Sequence, residues 1–378
     1  MPTMSAWSAL AWRSSLRRLA IGAVAGALVS LVCGLGANQP ELAQTAKPAD
    51  APLTCATCHA GVAASYSHAG MRHALESPGA NPVLETHPKL RYQIGQYSYT
   101  VETKSGQSTY TVSVGTDSLT LPIRWMFGQH SQTWVLEKDG NMYESLVSYF
   151  HENESLGETP GDDYATPHNL TEAIGRKLDT TKINRCFNCH ATNAVDGVKV
   201  TLDKLTPGLD CNRCHEGAQQ HMADAAHDNF ATLPRKLRTM NSEDAANFCG
   251  QCHRTWDTVV RNGWKGIPDV RFQPYRLELS KCFTGNDRRT SCLACHDPHQ
   301  QVNHNAGYYD SKCLACHAPQ KASNMAGSST TSAATKTCPV AKANCVTCHM
   351  PKVQPPGIHA TFTDHMIRIA KAGEPYPY

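Results

Sequence analysis

The sequence predicts a mainly α and irregular fold that contains a small antiparallel β insertion. Two observations predict it. The pattern Cys-x-x-Cys-His occurs seven times in 378 residues, and the long stretch without it, between Cys58 and Cys186, contains segments of strand-like character. Elsewhere, glycine and proline interrupt most of the longer patterns, which favours short helices and loops. Successive motifs lie at unequal intervals, which argues against a solenoid repeat.

The N-terminal segment has the features of an export signal. Its only charges before residue 19 are three arginines, and an uncharged stretch to residue 37 ends in small residues. This apolar run is nearly long enough to span a bilayer, so residues 1–37 are predicted to be either a cleaved signal peptide or an N-terminal membrane anchor. A lipoprotein signal is disfavoured because bulky Val32 precedes Cys33. Residues 38–52, rich in Ala, Pro and Gln, are predicted to be a flexible linker.

Each Cys-x-x-Cys-His motif supplies two thiols and one imidazole. These groups attach a c-type haem through its vinyl side chains and ligate its iron from one side. Zinc sites also use Cys-x-x-Cys, but they do not require a histidine at the next position every time. The sequence therefore predicts seven covalently attached haem c groups. The attaching cysteines are Cys55, Cys58, Cys186, Cys189, Cys211, Cys214, Cys249, Cys252, Cys292, Cys295, Cys313, Cys316, Cys345 and Cys348, and the ligating histidines are His59, His190, His215, His253, His296, His317 and His349.

The composition predicts that stacked haems organise the fold. Seven haems leave about 49 residues per cofactor beyond the leader. Apolar residues make up 40% of the chain and aromatic residues 7%, so porphyrin faces are expected to supply much of the buried apolar surface. We expect no stable fold without haem. The predicted organisation is a first haem segment at 53–90, a β-rich insertion at 91–155 and a six-haem packing domain at 156–378.

Local patterns place several elements. Alternating residues predict strands at 92–101 and 108–114, joined by a turn at 104–107. A second hairpin is predicted from 133–136 and 142–146 around Asp139 and Gly140. Short helices that end in a motif are predicted at 242–249 and 308–316. The Ser, Thr and Ala-rich residues 322–337 are predicted to form an exposed insertion.

Two cysteines of the exported body lie outside the motifs. Cys282 and Cys338 each precede a motif, and an oxidising compartment favours pairing them. The sequence therefore predicts a disulfide between them. Two free thiols are the alternative.

Histidines are numerous enough to give every iron a second ligand. Nineteen are present, and seven belong to the motifs. Two imidazoles make the iron six-coordinate and low-spin, which suits electron transfer. The strongest candidates are His221, six residues after a motif histidine, His299, which follows a proline turn, and His365, beyond the last motif. The next candidates are His68, His130, His304 and His359, and the histidines assigned to the surface or to supporting roles are His73, His87, His151, His168 and His227.

The charge pattern does not favour nucleic acid. The chain carries 35 basic and 32 acidic residues, and removal of the leader takes away three arginines and no acid. Haem propionates then make the holoprotein acidic overall, without the clustered basic face of nucleic-acid binders. Arginines near the motifs are expected to pair with propionates or to face solvent. They are Arg213, Arg254, Arg276, Arg288 and Arg289.

Several longer phrases resemble those of exported multihaem cytochromes c related to the tetrahaem electron-transfer partner of hydroxylamine oxidoreductase. The phrases lie at 66–71, 208–217, 271–277, 291–299, 344–352 and 362–365. The resemblance covers most of the chain after the linker. It implies closely packed parallel and perpendicular haem pairs, with His68, His221, His299 and His365 as second ligands. Pentahaem nitrite reductases carry Cys-x-x-Cys-Lys at the active haem, and this sequence has no such motif.

The favoured function is electron transfer along a chain of mostly bis-histidine haems in the periplasm or at the extracellular face. The alternative is an oxidoreductase that acts on a small nitrogen or sulfur compound at one five-coordinate haem. A conductive filament of stacked haems is a third possibility. The expected partners are redox proteins, and membrane contact is expected only through an N-terminal anchor. No catalytic residue is assigned from the sequence.

Overall fold

The computed structural model describes residues 53–129, 131–161, 166–318 and 338–377. Helices account for 36% and strands for 25%, and nine strands form one large, nearly closed antiparallel sheet. The prediction of a mainly α and irregular fold with a small β insertion is therefore wrong. No helix in the described ranges is both long and apolar enough to cross a membrane. The predicted leader, the predicted linker and the predicted insertion at 322–337 lie outside the described residues.

The large sheet is built from consecutive hairpins. Its strands follow the order β2 to β8, while β1 pairs with β5 and β9 pairs with β7. The strands are β1 (Leu75–Glu76), β2 (Lys89–Ile94), β3 (Tyr97–Lys104), β4 (Gln107–Val114), β5 (Asp117–Phe127), β6 (Ser131–Lys138), β7 (Asn141–Phe150), β8 (Ser155–Glu158) and β9 (Gly175–Leu178).

Short helices and three small strand pairs make up most of the remaining regular structure. The helices are α1 (Cys55–Cys58), α2 (Ala60–Tyr66), α3 (Pro82–Thr86), α4 (Leu170–Ile174), α5 (Thr180–His190), α6 (Ala218–Ala225), α7 (Ser242–His253), α8 (Trp256–Arg261), α9 (Gln273–Glu278), α10 (Cys292–Cys295), α11 (Asp310–His317) and α12 (Cys345–His349). The strand pairs are β10 (Ala191–Thr192) with β13 (Thr206–Pro207), β11 (Val195–Asp196) with β12 (Lys199–Val200), and β14 (Lys352–Val353) with β15 (Phe362–Thr363). Short 3₁₀ helices lie at Gly70–His73, Pro78–Ala80, Leu202–Lys204, Cys211–Arg213, Leu237–Thr239, Ile267–Arg271, Arg288–Thr290 and Ala306–Tyr309.

Both predicted hairpins are present. The β6–β7 turn contains Asp139 and Gly140 with φ of 49° and 71°, the left-handed conformation that a tight hairpin turn requires. The segment predicted as one strand at 92–101 is two strands, β2 and β3, because the chain reverses at Gly95 with φ of 54°. The longest strand, β5, is absent from the sequence prediction. It contains Pro122 at an exposed position, and proline normally counts against a strand.

Aromatic residues fill the interior of the large sheet. Tyr99, Tyr110 and Trp134 are fully buried, and their ring centroids lie 6.0 and 6.1 Å apart along the series. Leu84 of α3 and Ile174 of α4 belong to the same buried cluster. This core is ordinary side-chain packing, so the sheet does not depend on haem for its apolar interior.

A second buried cluster joins the sheet to the first helix beyond it. Phe187 of α5 is fully buried and its ring lies 5.2 Å from that of Phe127 at the end of β5. Leu75 and Leu178 pack in the same cluster. Because α5 carries the second Cys-x-x-Cys-His motif, the sheet fixes the position of that motif.

Candidate haem-binding site

All seven motifs lie in helical turns. Positions i, i+3 and i+4 share one face of a helix, so the spacing of the motif places both cysteines and the histidine on the same side. The backbone closes these turns, as in the 2.9 Å bonds from the amides of His59, His215 and His296 to the first cysteine carbonyl of their own motif. The motifs are numbered one to seven along the chain. The predicted helices at 242–249 and 308–316 are confirmed as α7 and α11, which end in motifs four and six.

Backbone carbonyls orient several motif histidines. Nδ1 lies 2.8 Å from the Ala74 carbonyl in His190 and 2.9 Å from the Arg368 carbonyl in His349. In His215, Nδ1 lies 3.2 Å from the carbonyl of Arg235. A carbonyl only accepts, so Nδ1 carries the proton and Nε2 keeps its lone pair for a metal.

Two pairs of histidine rings have the separation that one iron requires. His215 and His299 have ring centroids 6.0 Å apart and planes 6° from parallel. His296 and His365 have centroids 6.2 Å apart. With metal–nitrogen bonds of about 2 Å, two imidazoles on opposite sides of one iron have ring centres about 6 Å apart. The pairs therefore fit irons of motifs three and five.

The candidate second ligands are held in the same way as the motif histidines. In His221, Nδ1 lies 2.7 Å from the carbonyl of Thr232, and in His365 it lies 3.0 Å from that of Thr363. In His299, Nδ1 lies 3.1 Å from the Asp297 carboxylate. Burial lowers the pKa of His365 to about 4, which keeps its imidazole neutral and able to ligate.

Other histidines are less suited to ligation or lack a motif partner. His68 is exposed, and no ring contact in the described part of the chain pairs it with a motif histidine. Both ring nitrogens of His73 are engaged, by Glu76 and by the Ser67 carbonyl, and both of His87 are engaged too. The ring of His359 packs against Phe150, and that of His151 packs against Tyr149. His168 binds Glu172, whereas His227 and His304 are exposed. His130 lies outside the described residues.

Cysteines of different motifs lie close enough to shift the pKa of a thiol in the neighbouring motif, which indicates which motifs are neighbours. The interacting thiols are Cys55 with Cys211, Cys189 with Cys252, Cys249 with Cys292, and Cys313 with Cys345. Weaker electrostatic interactions connect Cys214 with Cys249 and Cys295 with Cys313. In space, the motifs therefore follow one another in the order one, three, four, five, six and seven. Motif two also lies beside motif four.

A buried ion pair holds the segment that carries His365. Arg276 of α9 and Asp364 are both fully buried, with Nε–Oδ1 and Nη2–Oδ2 distances of 2.9 Å. Arg276 also donates to the Pro377 carbonyl, and Arg368 donates to the second Asp364 oxygen at 2.6 Å. These contacts join the phrases at 271–277 and 362–365. The expectation that Arg276 faces a propionate or solvent is wrong, since burial with a carboxylate was not recognisable from the local sequence.

The remaining arginines near the motifs have protein partners. Arg213 donates to the carbonyl of Asn188, within motif two, and Arg254 interacts with Cys189. Arg288 donates to the Arg238 carbonyl, and Arg289 pairs with Asp287. Their expected pairing with propionates stays a prediction.

The predicted disulfide is not formed in this structure. Cys282 and Cys338 are free and exposed. Cys282 instead interacts electrostatically with Cys295, Cys313 and Cys316, which places it beside motifs five and six. Proximity in sequence to two different motifs therefore did not bring the two thiols together.

Comparison with known proteins gives one match. Residues 148–216, which contain motifs two and three, match the family model described as cytochrome c554 and c-prime. No curated protein and no solved structure matches the chain. The match supports a cytochrome c family and, with it, covalently bound haem c and a role in electron transfer.

Proposed function

We propose that the protein is a heptahaem c-type cytochrome that transfers electrons outside the cytoplasm along mostly bis-histidine haems. The observation that carries the proposal is the pair of ring separations, 6.0 Å for His215 with His299 and 6.2 Å for His296 with His365. Bound haem supplies an iron that alternates between the ferric and ferrous states. Kinship with the tetrahaem electron-transfer partner of hydroxylamine oxidoreductase is part of this proposal.

The chain's own residues hold and orient these groups. His299 is the second ligand at motif three, oriented by Asp297, and His365 is the second ligand at motif five, oriented by the Thr363 carbonyl. Hydrogen bonds from Nδ1 fix each ring so that little rearrangement accompanies a change of charge at the metal. His68 and His221 are proposed as further second ligands.

The contacts between motifs support a continuous path. Each thioether sulfur is bonded next to the porphyrin edge, so interacting cysteines from two motifs bring two porphyrin edges close together. Such contacts connect motif one with three, motif two with four, motif four with five and motif six with seven, and the weaker electrostatic interactions connect motif three with four and motif five with six. We propose that the protein sets the spacing and the potentials of the haems, while exposed haems at the ends exchange electrons with redox partner proteins.

The experiment is electron paramagnetic resonance of the air-oxidised holoprotein, after its mass has fixed the number of attached haems. Seven haems with mostly low-spin ferric signals are expected. A mass that corresponds to fewer haems would refute the count. A high-spin signal that changes with nitrite, hydroxylamine or sulfite would instead favour the oxidoreductase, because it would reveal an iron open to a substrate.

A further inference from the structure

The seventh motif lies at an exposed end of the row of motifs. Cys348 and Thr347 of α12 are exposed, whereas most other motif cysteines are half-buried. Among motifs, the seventh interacts with the sixth through Cys345 and Cys313. An exposed motif at the end of a row of haems is where a partner protein can approach most closely.

Four exposed lysines surround this motif: Lys312, Lys342, Lys352 and Lys371. Lys312 precedes Cys313, which interacts with Cys345, and Lys342 lies three residues before Cys345. Lys352 follows the motif at the start of β14, and Lys371 lines a hollow together with Pro351. In the described ranges none of the four ammonium groups forms an ion pair. The Lys312 ammonium also lies near Cys295 of motif five, while Lys342, Lys352 and Lys371 are exposed to solvent.

Two carboxylates on this face, those of Asp310 and Glu374, keep their negative charge and offset only part of the four positive charges. The Asp310 carboxylate accepts bonds from the amides of Asn344 and Cys345, at 2.7 and 2.9 Å. Glu374 accepts the Lys371 amide at 3.2 Å. Asp364 is buried with Arg276 and Arg368. The surface formed by α12 and these four lysines, called the seventh-motif face, therefore carries an excess of positive charge. Bound haem c would carry its propionates on the porphyrin edge opposite the thioether bonds, away from the exposed cysteine of motif seven.

Exposed apolar side chains accompany the lysines. Val340 is 88% exposed and Ile369 is 76% exposed. Apolar side chains together with polar groups are typical of protein interfaces. The first motif, at the other end of the row, differs, because residues 53–70 contain no charged side chain.

We propose that the seventh-motif face binds an acidic redox protein, which exchanges one electron with the haem of motif seven. The inference rests on the proposed function. In the reducing direction the partner's cofactor loses one electron and the ferric iron gains it. Complementary charge speeds such encounters and makes them sensitive to salt, because dissolved ions screen exposed charges.

The test measures binding of the holoprotein to flavodoxin, used as a defined acidic flavoprotein, at low and high salt by isothermal titration calorimetry. Wild-type binding should weaken at least about tenfold at high salt. The double variant Lys342→Glu/Lys352→Glu should weaken low-salt binding by about tenfold or more and flatten the salt dependence. The control Lys199→Glu/Lys204→Glu alters two exposed lysines away from the motif and should leave the dissociation constant within about twofold.

If the control variant lost as much affinity for flavodoxin as the Lys342→Glu/Lys352→Glu variant, the proposed surface would be overturned. Wild-type binding that does not respond to salt would overturn it too. If the charge reversal disturbs folding, the milder Lys342→Gln/Lys352→Gln pair must still weaken binding. The haem count of each protein is read separately by mass. A full count with no effect of the lysines would overturn this inference alone, whereas a low count would overturn the proposed function.

Discussion

Each of the two ring pairs joins a motif histidine to a histidine outside the motifs. His299→Ala and His365→Ala should each convert one haem of seven from low-spin to high-spin, because one iron loses its second ligand. Electron paramagnetic resonance of each ferric variant measures the change. His168→Ala, at an exposed histidine bound to Glu172, is the control and should retain the wild-type spectrum. A fully low-spin His299→Ala spectrum would contradict the pairing with His215.

The buried ion pair of Arg276 with Asp364 is expected to stabilise the folded protein. Arg276→Gln leaves Asp364 buried without its bidentate partner, which should cost about 3–5 kcal/mol of unfolding free energy. Denaturant unfolding of the holoprotein measures the loss. Arg289→Gln breaks an exposed pair with Asp287 and should cost less than about 1 kcal/mol. Comparable losses in both variants would refute the special role of the buried pair.

Glu278 is expected to make the stability of the folded protein depend on pH. Burial, with the Glu243 and Asp257 carboxylates, raises the pKa of Glu278 to about 7 from an ordinary 4.5. Between these values the folded protein binds a proton that the unfolded chain releases, so this contribution to stability is lost as pH rises from about 4.5 through 7. Glu278→Gln should reduce the fall in melting temperature between pH 5 and pH 8. An unchanged fall would show that Glu278 does not titrate in this range.

At the scale of elements, the sequence predicted what depends on neighbouring residues. The motif spacing gave the helical turns, and alternation with Asp139–Gly140 gave the β6–β7 hairpin. The other strands of the sheet were harder to recognise, because β5 contains Pro122 and β1, β8 and β9 are too short for a clear period. The extent of the sheet was therefore underestimated.

The junction between the sheet and α5 can be tested by removing its central ring. Phe187→Ala should cost about 3–5 kcal/mol, because a fully buried phenyl group is replaced by a cavity against Phe127. Chemical unfolding of the holoprotein gives the value. Phe230→Ala removes a ring that is 57% exposed and should cost much less. Equal costs would mean that the junction contributes little.

At the scale of the whole molecule, the sequence predicts seven haems, which stays a prediction, and it names candidate histidines, but it did not predict which histidine pairs with which motif. His215 and His299 are far apart in the chain, and so are His296 and His365, and contacts of this kind leave no local pattern. The same holds for Arg276 with Asp364 and for the backbone carbonyls that orient the histidines. The neighbour order of the motifs also required the fold.

That order makes motif four a junction, since its cysteines interact with those of motifs two, three and five. The most direct measurement is an anomalous difference map at the iron absorption edge from crystals of the holoprotein. Our account predicts seven iron peaks, one between His215 and His299, one between His296 and His365, and three iron neighbours around the peak at motif four. Fewer than seven peaks, or an iron at His215 that is not bound by His299, would contradict it.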